Sequence, residues 1–228
     1  MNSTTIRFSN PEHTMKGKIF LLSFICLLGY SSVKSQEDWS ELKDKSGIKV
    51  FARKNPNSKF HELKVECEFE GRISQLAAVL LDIPNHPRWV YNTISTRILK
   101  ASGADIIFYT ELECPWPFEN RDVVAHMTLT QSFENKVMTV ESQNVDDYLP
   151  VEKSIVRVKY SKVTWIVTPL NDARFRVEYR LQMDPGGSMP AWLLNLFISK
   201  GPFESFTKLK EEIQLPEYRK ARFTFLRD

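Results

Sequence analysis

The ten residues 61–70 (HELKVECEFE) alternate without a break, and nothing else in the chain constrains its fold so tightly. Leu63, Val65, Cys67 and Phe69 take one parity; Glu62, Lys64, Glu66, Glu68 and Glu70 take the other. Successive side chains of a β-strand point to opposite faces, so this segment reads as a strand with one dry face and one wet face. Such a strand needs neighbours beside it and an apolar layer on its dry side.

The neighbours lie downstream. Beyond Pro87-Arg88-Trp89-Val90, strand patterns run over residues 96–101, 105–113, 121–131, 136–143, 154–167 and 173–183. Short turns at Ser102-Gly103, Glu134-Asn135 and Asn171-Asp172 join most of them, which predicts an antiparallel meander. Its longest unpatterned link is 144–153, and residues 48–53 read as a further strand ahead of it.

Three segments read as helix. Residues 37–45 place Trp39 and Leu42 three apart and stop at Ser46-Gly47. Ser74 is the expected cap of a helix carrying Leu76, Val79, Leu80 and Ile83, ended by Pro84. The third runs over 190–215, with a bend at Gly201-Pro202. Residues 191–198 (AWLLNLFI) are apolar nearly all round, with Asn195 as the polar member. A helix of that kind is buried or faces a second apolar surface. Plain core and a wall facing a cavity both satisfy this. The later half shows a single stripe of Phe203, Phe206, Leu209 and Ile213. The class is α+β: a long sheet with one apolar face must curl around something, and the last helix is the candidate.

The N-terminus reads differently. Residues 19–29 (IFLLSFICLLG) follow Lys16 and Lys18 and precede Val33-Lys34-Ser35, the layout of a secretory signal peptide cut before Gln36. Met15 would start such a peptide cleanly. The expected organisation is therefore a signal segment over 1–35 and one domain over 36–228, exported to the periplasm or outside the cell. A retained signal anchor is the alternative. Losing residues 1–35 removes four of the 31 basic and one of the 28 acidic residues, leaving 27 of each. A neutral domain carries no electrostatic footprint for nucleic acid.

Little in the chain points to chemistry. G-x-S-x-G, G-x-G-x-x-G, Walker and H-E-x-x-H patterns are missing, and His61, His86 and His126 are scattered. Cys67 and Cys114 sit at apolar positions, which favours two buried thiols over a disulfide and gives no metal set. Asp184-Pro-Gly-Gly-Ser188 reads as a tight turn capped by Ser188, with anion binding at the helix start as the alternative. Glu111 shares its parity with Ile107 and Tyr109, a lone carboxylate on a semi-apolar face. No cofactor is expected.

One segment remains unexplained by local rules. Residues 114–124 (CPWPFENRDVV) join two strands by a link stiffer and more aromatic than a hairpin needs. Pro115-Trp116-Pro117-Phe118 followed by Arg121-Asp122 resembles a signature of StAR-related lipid-transfer (START) domains. Trp165 with Pro169, and Asp184-Pro-Gly-Gly ahead of Pro190-Ala-Trp-Leu-Leu-Asn, resemble two more. The match runs from about Trp39 to Leu215.

The resemblance implies a helix-grip fold, a curved antiparallel sheet wrapped around a long C-terminal helix over an internal hydrophobic tunnel. It implies a monomeric, non-enzymatic binder of a lipid or similar apolar molecule, with transient membrane contact. Phe108, Glu111, Leu112, Met127, Leu129, Leu193, Leu196 and Phe197 are the residues expected to face the tunnel, the last three bordering its mouth with loop 144–153. Trp116 and Phe118 would pin the corner by burial, and Arg121 and Asp122 would tie it by hydrogen bonds. Some sterol-binding members carry an acidic residue and an arginine inside the tunnel. Glu111 roughly matches the first, but Met127 stands six residues after Arg121, which leaves the ligand class open. The alternatives are a helix-grip enzyme of cyclase or hydratase type, using Glu111 or a cavity tyrosine, and an interaction module with a filled core.

Overall fold

A computed structural model describes residues 1, 39–56, 58, 60–145, 148–190, 193–194, 197–198 and 200–228. The chain divides into a unit Met1–Glu37 and a unit Asp38–Asp228, which holds every element below. Apart from Met1, the expected signal segment lies outside the described residues.

Among those residues the strands form one sheet: β1 (Ser40–Lys45), β2 (Ile48–Lys54), β3 (His61–Glu70), β4 (Thr93–Ser102), β5 (Asp105–Leu112), β6 (Asn120–Gln131), β7 (Met138–Asn144), β8 (Ile155–Arg157), β9 (Tyr160–Asn171) and β10 (Arg174–Asp184). The order is β1-β2-β3-β10-β9-β7-β6-β5-β4, all antiparallel, with β8 paired parallel to the start of β6. The dry face of β3 is buried as its alternation requires, Leu63, Val65, Cys67 and Phe69 all being 5% exposed or less. Phe175 lies opposite Phe69 on β10, the two rings stacked at 5.3 Å.

The layer on that face comes from α1 (Ile73–Leu81) and α2 (Gly201–Glu212), followed by the short α3 (Pro216–Arg219). Leu76, Val79 and Leu80 of α1 and Phe206 and Leu209 of α2 join the strands in one buried cluster. Phe206 stacks on Trp165 at 5.3 Å and meets Tyr179 edge-on at 5.5 Å. This is the helix-grip arrangement: a curved antiparallel sheet closed by its C-terminal helix.

Four local expectations are corrected. Residues 40–45 are a strand, because a helix so short is marginal in water while the same residues find a ladder on β2. Ser46 and Gly47, expected as a helix stop, both take positive φ (54° and 68°), as a tight two-residue hairpin turn demands. Trp39 lies instead beneath the Arg53 guanidinium at 4.5 Å and the Lys64 ammonium at 5.1 Å. Ser74 does not cap α1. The Gln75 side chain accepts the Arg72 N–H at 2.9 Å, while Ser74 donates its N–H and hydroxyl to the Asp228 carboxylate, each at 2.8 Å.

The strand expected over 154–167 is broken after Arg157. The Val158 N–H donates to Asp122 O and the Lys159 N–H to Asp184 O, turning the chain from β8 into β9. Finally, the wet face of β3 is not uniformly wet. Glu62 is 5% exposed and paired with Arg53 at 2.6 Å, which offsets the burial of its charge.

Candidate functional site

β5 and β6 meet residue for residue, Phe108 opposite Ala125, Leu112 opposite Arg121 and Glu111 opposite Asp122. Directly opposed residues share a face. Ile106, Phe108, Ala125, Met127 and Leu129 lie in the cluster under the helices. Leu112 and Arg121 share that inner parity, whereas Tyr109, Glu111, Asp122 and Val124 have the outer one. Glu111 therefore stands on the side of the sheet away from the helices, where it accepts a hydrogen bond from Asn120 Nδ2 at 2.9 Å. That is a structural tie and offers no carboxylate to the interior.

At the open end of the inner face lies a small apolar cavity of about 30 Å3. Leu112, Cys114 and Arg121 form one wall, Val158, Met183, Pro185 and Met189 another, and Leu194 and Phe197 the cover. Such a volume holds about two waters and no lipid chain. Of the residues expected to face a tunnel, Leu112 and Phe197 meet here. Phe108, Met127 and Leu129 pack in the central core, Phe108 edge-on to His86 at 6.0 Å. Leu193 is wholly buried beside the cover, and Leu196 lies outside the described residues. Among the described residues, none of 144–153 lines this cavity.

The cover is built from Pro190 onward. Leu193 and Leu194 donate their N–H groups to Pro190 O, and Leu193, Leu194, Phe197 and Ile198 are helical. Phe197 meets Tyr91 edge-on at 6.3 Å, and the Tyr91 N–H donates to Ser205 Oγ at 2.9 Å. Gly201 sits so close to Tyr91 that a Cβ there would stand 3.1 Å from its ring. The turn leading to the cover is glycine-dependent: Gly186 and Gly187 have φ of 70° and 62°. The Asp184 carboxylate accepts the Gly186 N–H at 2.9 Å, the arrangement of a tight turn.

The corner 114–120 differs from expectation in what holds it. Trp116 is 92% exposed and pins nothing; Phe118 is half-buried. Asn120 ties the corner instead, its Oδ1 accepting the Cys114 N–H at 3.2 Å while its Nδ2 reaches Glu111. Asp122 is fully buried and receives both nitrogens of a fork from Arg157, at 2.6 and 3.0 Å. Arg121, 4% exposed, donates Nη1 to Glu119 O at 2.5 Å, and its Nε meets no acceptor. Asn120 and Arg157 were missed from the sequence because their partners are set by strand pairing.

Titration favours inert groups. Burial pushes the Cys67 thiol up to about 12 and raises Cys114 against a weaker pull from Arg121. Burial lowers His86 to about 4, and its Nε2–H donates to Leu80 O at 3.0 Å. Both described cysteines are free, and among the described residues no metal-holding cluster occurs.

Comparison with known proteins is consistent in kind. A STAR-related lipid transfer protein from Xanthomonas axonopodis superposes with a TM-score of 0.72 at 32% identity, covering 78% of this chain and 99% of that one. The phosphatidylcholine transfer protein of Rattus norvegicus is 27% identical over 176 residues, 75% of this chain and 81% of the relative. Human STARD10 shares the fold with a TM-score of 0.69 at 22% identity, covering 80% and 76%. A family model described as the START domain matches residues 31–218, and the chain belongs to that family.

Proposed function

We propose that this protein binds a lipid beneath the cover carrying Leu194 and Phe197 and releases it at a membrane, without chemical conversion. The observation that carries this is an apolar cavity placed under a separate helical segment, in a chain of the START family. Withdrawing about ten methylenes from water is worth roughly 8 kcal/mol. Relative to a bilayer the same transfer is nearly neutral, so exchange depends on opening and not on lost affinity. A cavity of about 30 Å3 holds no lipid chain, so loading requires the cover to move.

Trp116 fits the same reading. It projects from the loop whose root, Cys114, lines the cavity. Ile155 pairs with Asn120, so the segment holding Tyr148 and Val151, 39% and 58% exposed, leaves the sheet at the same end. Tryptophan and tyrosine suit the boundary between water and lipid. The working compartment proposed is outside the cytoplasm, on the pattern of residues 16–36.

Native mass spectrometry of the purified protein, with a vesicle-to-vesicle transfer assay, tests the proposal. Co-purifying lipid and transfer above the spontaneous rate are expected. The small cavity also suits a filled interaction module; an adduct-free mass with no transfer would select that reading.

A further inference from the structure

Arg121, Leu112 and Thr93 form one row across three strands, Leu112 pairing with Arg121 on one side and Thr93 on the other. The two polar members both bury an atom without a partner, Arg121 Nε and Thr93 Oγ1. Folded proteins satisfy nine in ten or more of their buried polar groups. Two orphans in one row, of which Arg121 lines the cavity, indicate a partner that the chain itself does not supply.

The charge makes the case sharper. A guanidinium stays protonated in proteins, so burial cannot be relieved by neutralisation. Burying it without a counter-charge costs far more than burying a neutral group. Yet among the described residues no carboxylate pairs with Arg121. The neighbouring Asp122 points to the other face and is taken by Arg157, and the contacts Arg121 makes are with a backbone carbonyl and the Cys114 thiol, neither of them a counter-charge. Its Nη2 lies beside Gly187, where a Cβ would stand 3.6 Å away, at the foot of the turn that leads into the cover.

We infer that Arg121 is the head-group anchor of the bound lipid, and that this lipid carries an anionic oxygen, a carboxylate or a phosphodiester. The inference rests on the lipid-binding reading above. When the cover lifts, the Arg121 fork receives the anionic oxygens. Thr93, two strand spacings or about 10 Å away, donates to a second oxygen such as an ester carbonyl. Leu112 between them keeps the intervening contact apolar. The chain's buried positive charge is then matched only when cargo is loaded, which ties occupancy to the charge of the head.

Two probe pairs test it on the purified protein: a pyrene-labelled hexadecanoic acid against its methyl ester, and pyrene-labelled phosphatidylcholine against the diacylglycerol with the same chains. Wild type should prefer the charged member by roughly tenfold in one pair, as for one charge-assisted contact. The pair that shows it distinguishes carboxylate from phosphodiester. Arg121→Met should abolish the preference while the neutral probes still bind. Should that variant fail to fold, Arg121→Lys, which keeps the charge but loses the fork, should cut the preference at least threefold. Equal binding within both pairs, or a preference surviving either variant intact, overturns the anchor alone. Failure of all four probes to bind wild type removes the lipid-binding reading beneath it.

Discussion

Asp122 and Arg157 are held fork to fork across 35 positions of sequence, at 2.6 and 3.0 Å, with Asp122 wholly out of solvent. The pair fastens β8 to the root of β6, and Arg157 also reaches Leu149 O at 3.2 Å. Removing one member leaves a buried charge uncompensated, which typically costs about 3–5 kcal/mol. Asp122→Asn should lose an amount in that range by chemical denaturation. The double change Asp122→Leu with Arg157→Met should lose less than Asp122→Asn alone. A double variant as unstable as the two single losses combined would show that the residues act independently.

His86 supplies a pH dependence. Its imidazole is neutral in the folded chain down to about pH 4, because burial outweighs the opposing influence of Leu80 O and Asp82. The unfolded chain takes up that proton from about 6.5 downward. Stability is therefore full above about 6.5, falls as pH drops towards 4, and then levels off. The loss is about 3 kcal/mol. Urea midpoints from pH 7 to 4 should show it, and His86→Gln should flatten that part of the profile. A profile of unchanged slope in the variant assigns the dependence elsewhere.

Trp116 is expected to matter at membranes and not in the fold. Substitution at so exposed a position usually changes stability by less than about 0.5 kcal/mol. Trp116→Ala should leave the melting temperature in place and slow vesicle-to-vesicle transfer severalfold. A variant that melts early while transferring at the normal rate reverses this assignment.

Neither described thiol should react in the native state. Burial holds Cys67 near 12 and raises Cys114, and the thiolate is the reactive form. At pH 8 a disulfide reagent should label both only after denaturant is added, as peptide mapping can read. Rapid labelling of Cys114 in folded protein would mean that the cover opens far enough to expose the cavity wall.

Export is checked separately. Sequencing the N-terminus of protein recovered from fractionated cells should find a start at or near Gln36. An intact leader in the cytosolic fraction refutes it.

Much of the sheet was legible from local pattern alone. The alternation of 61–70 needs no partner to be read, because the period of two is built into the extended backbone. The turns Ser102-Gly103 and Asn171-Asp172 mark their hairpins in the same way. Residues 37–45 failed because a short amphipathic segment satisfies both periods, and only the ladder to β2 decides between them. Trp116 failed for a related reason: composition says that a side chain is apolar, not whether anything arrives to cover it.

The candidate site was legible in part. The parity of Glu111 with Tyr109 was plain, but which parity faces the helices is fixed by where α2 packs. That single fact moves Glu111 to the outer side and puts Arg121 on the inner one. Asn120 and Arg157 likewise gain their roles from strands brought together across the fold. By itself the sequence determined most of the strands and the place of the corner between β5 and β6, since each depends on neighbours along the chain. Only the tertiary structure decided which charges are matched, because charge compensation is set by distances through space between residues far apart in sequence.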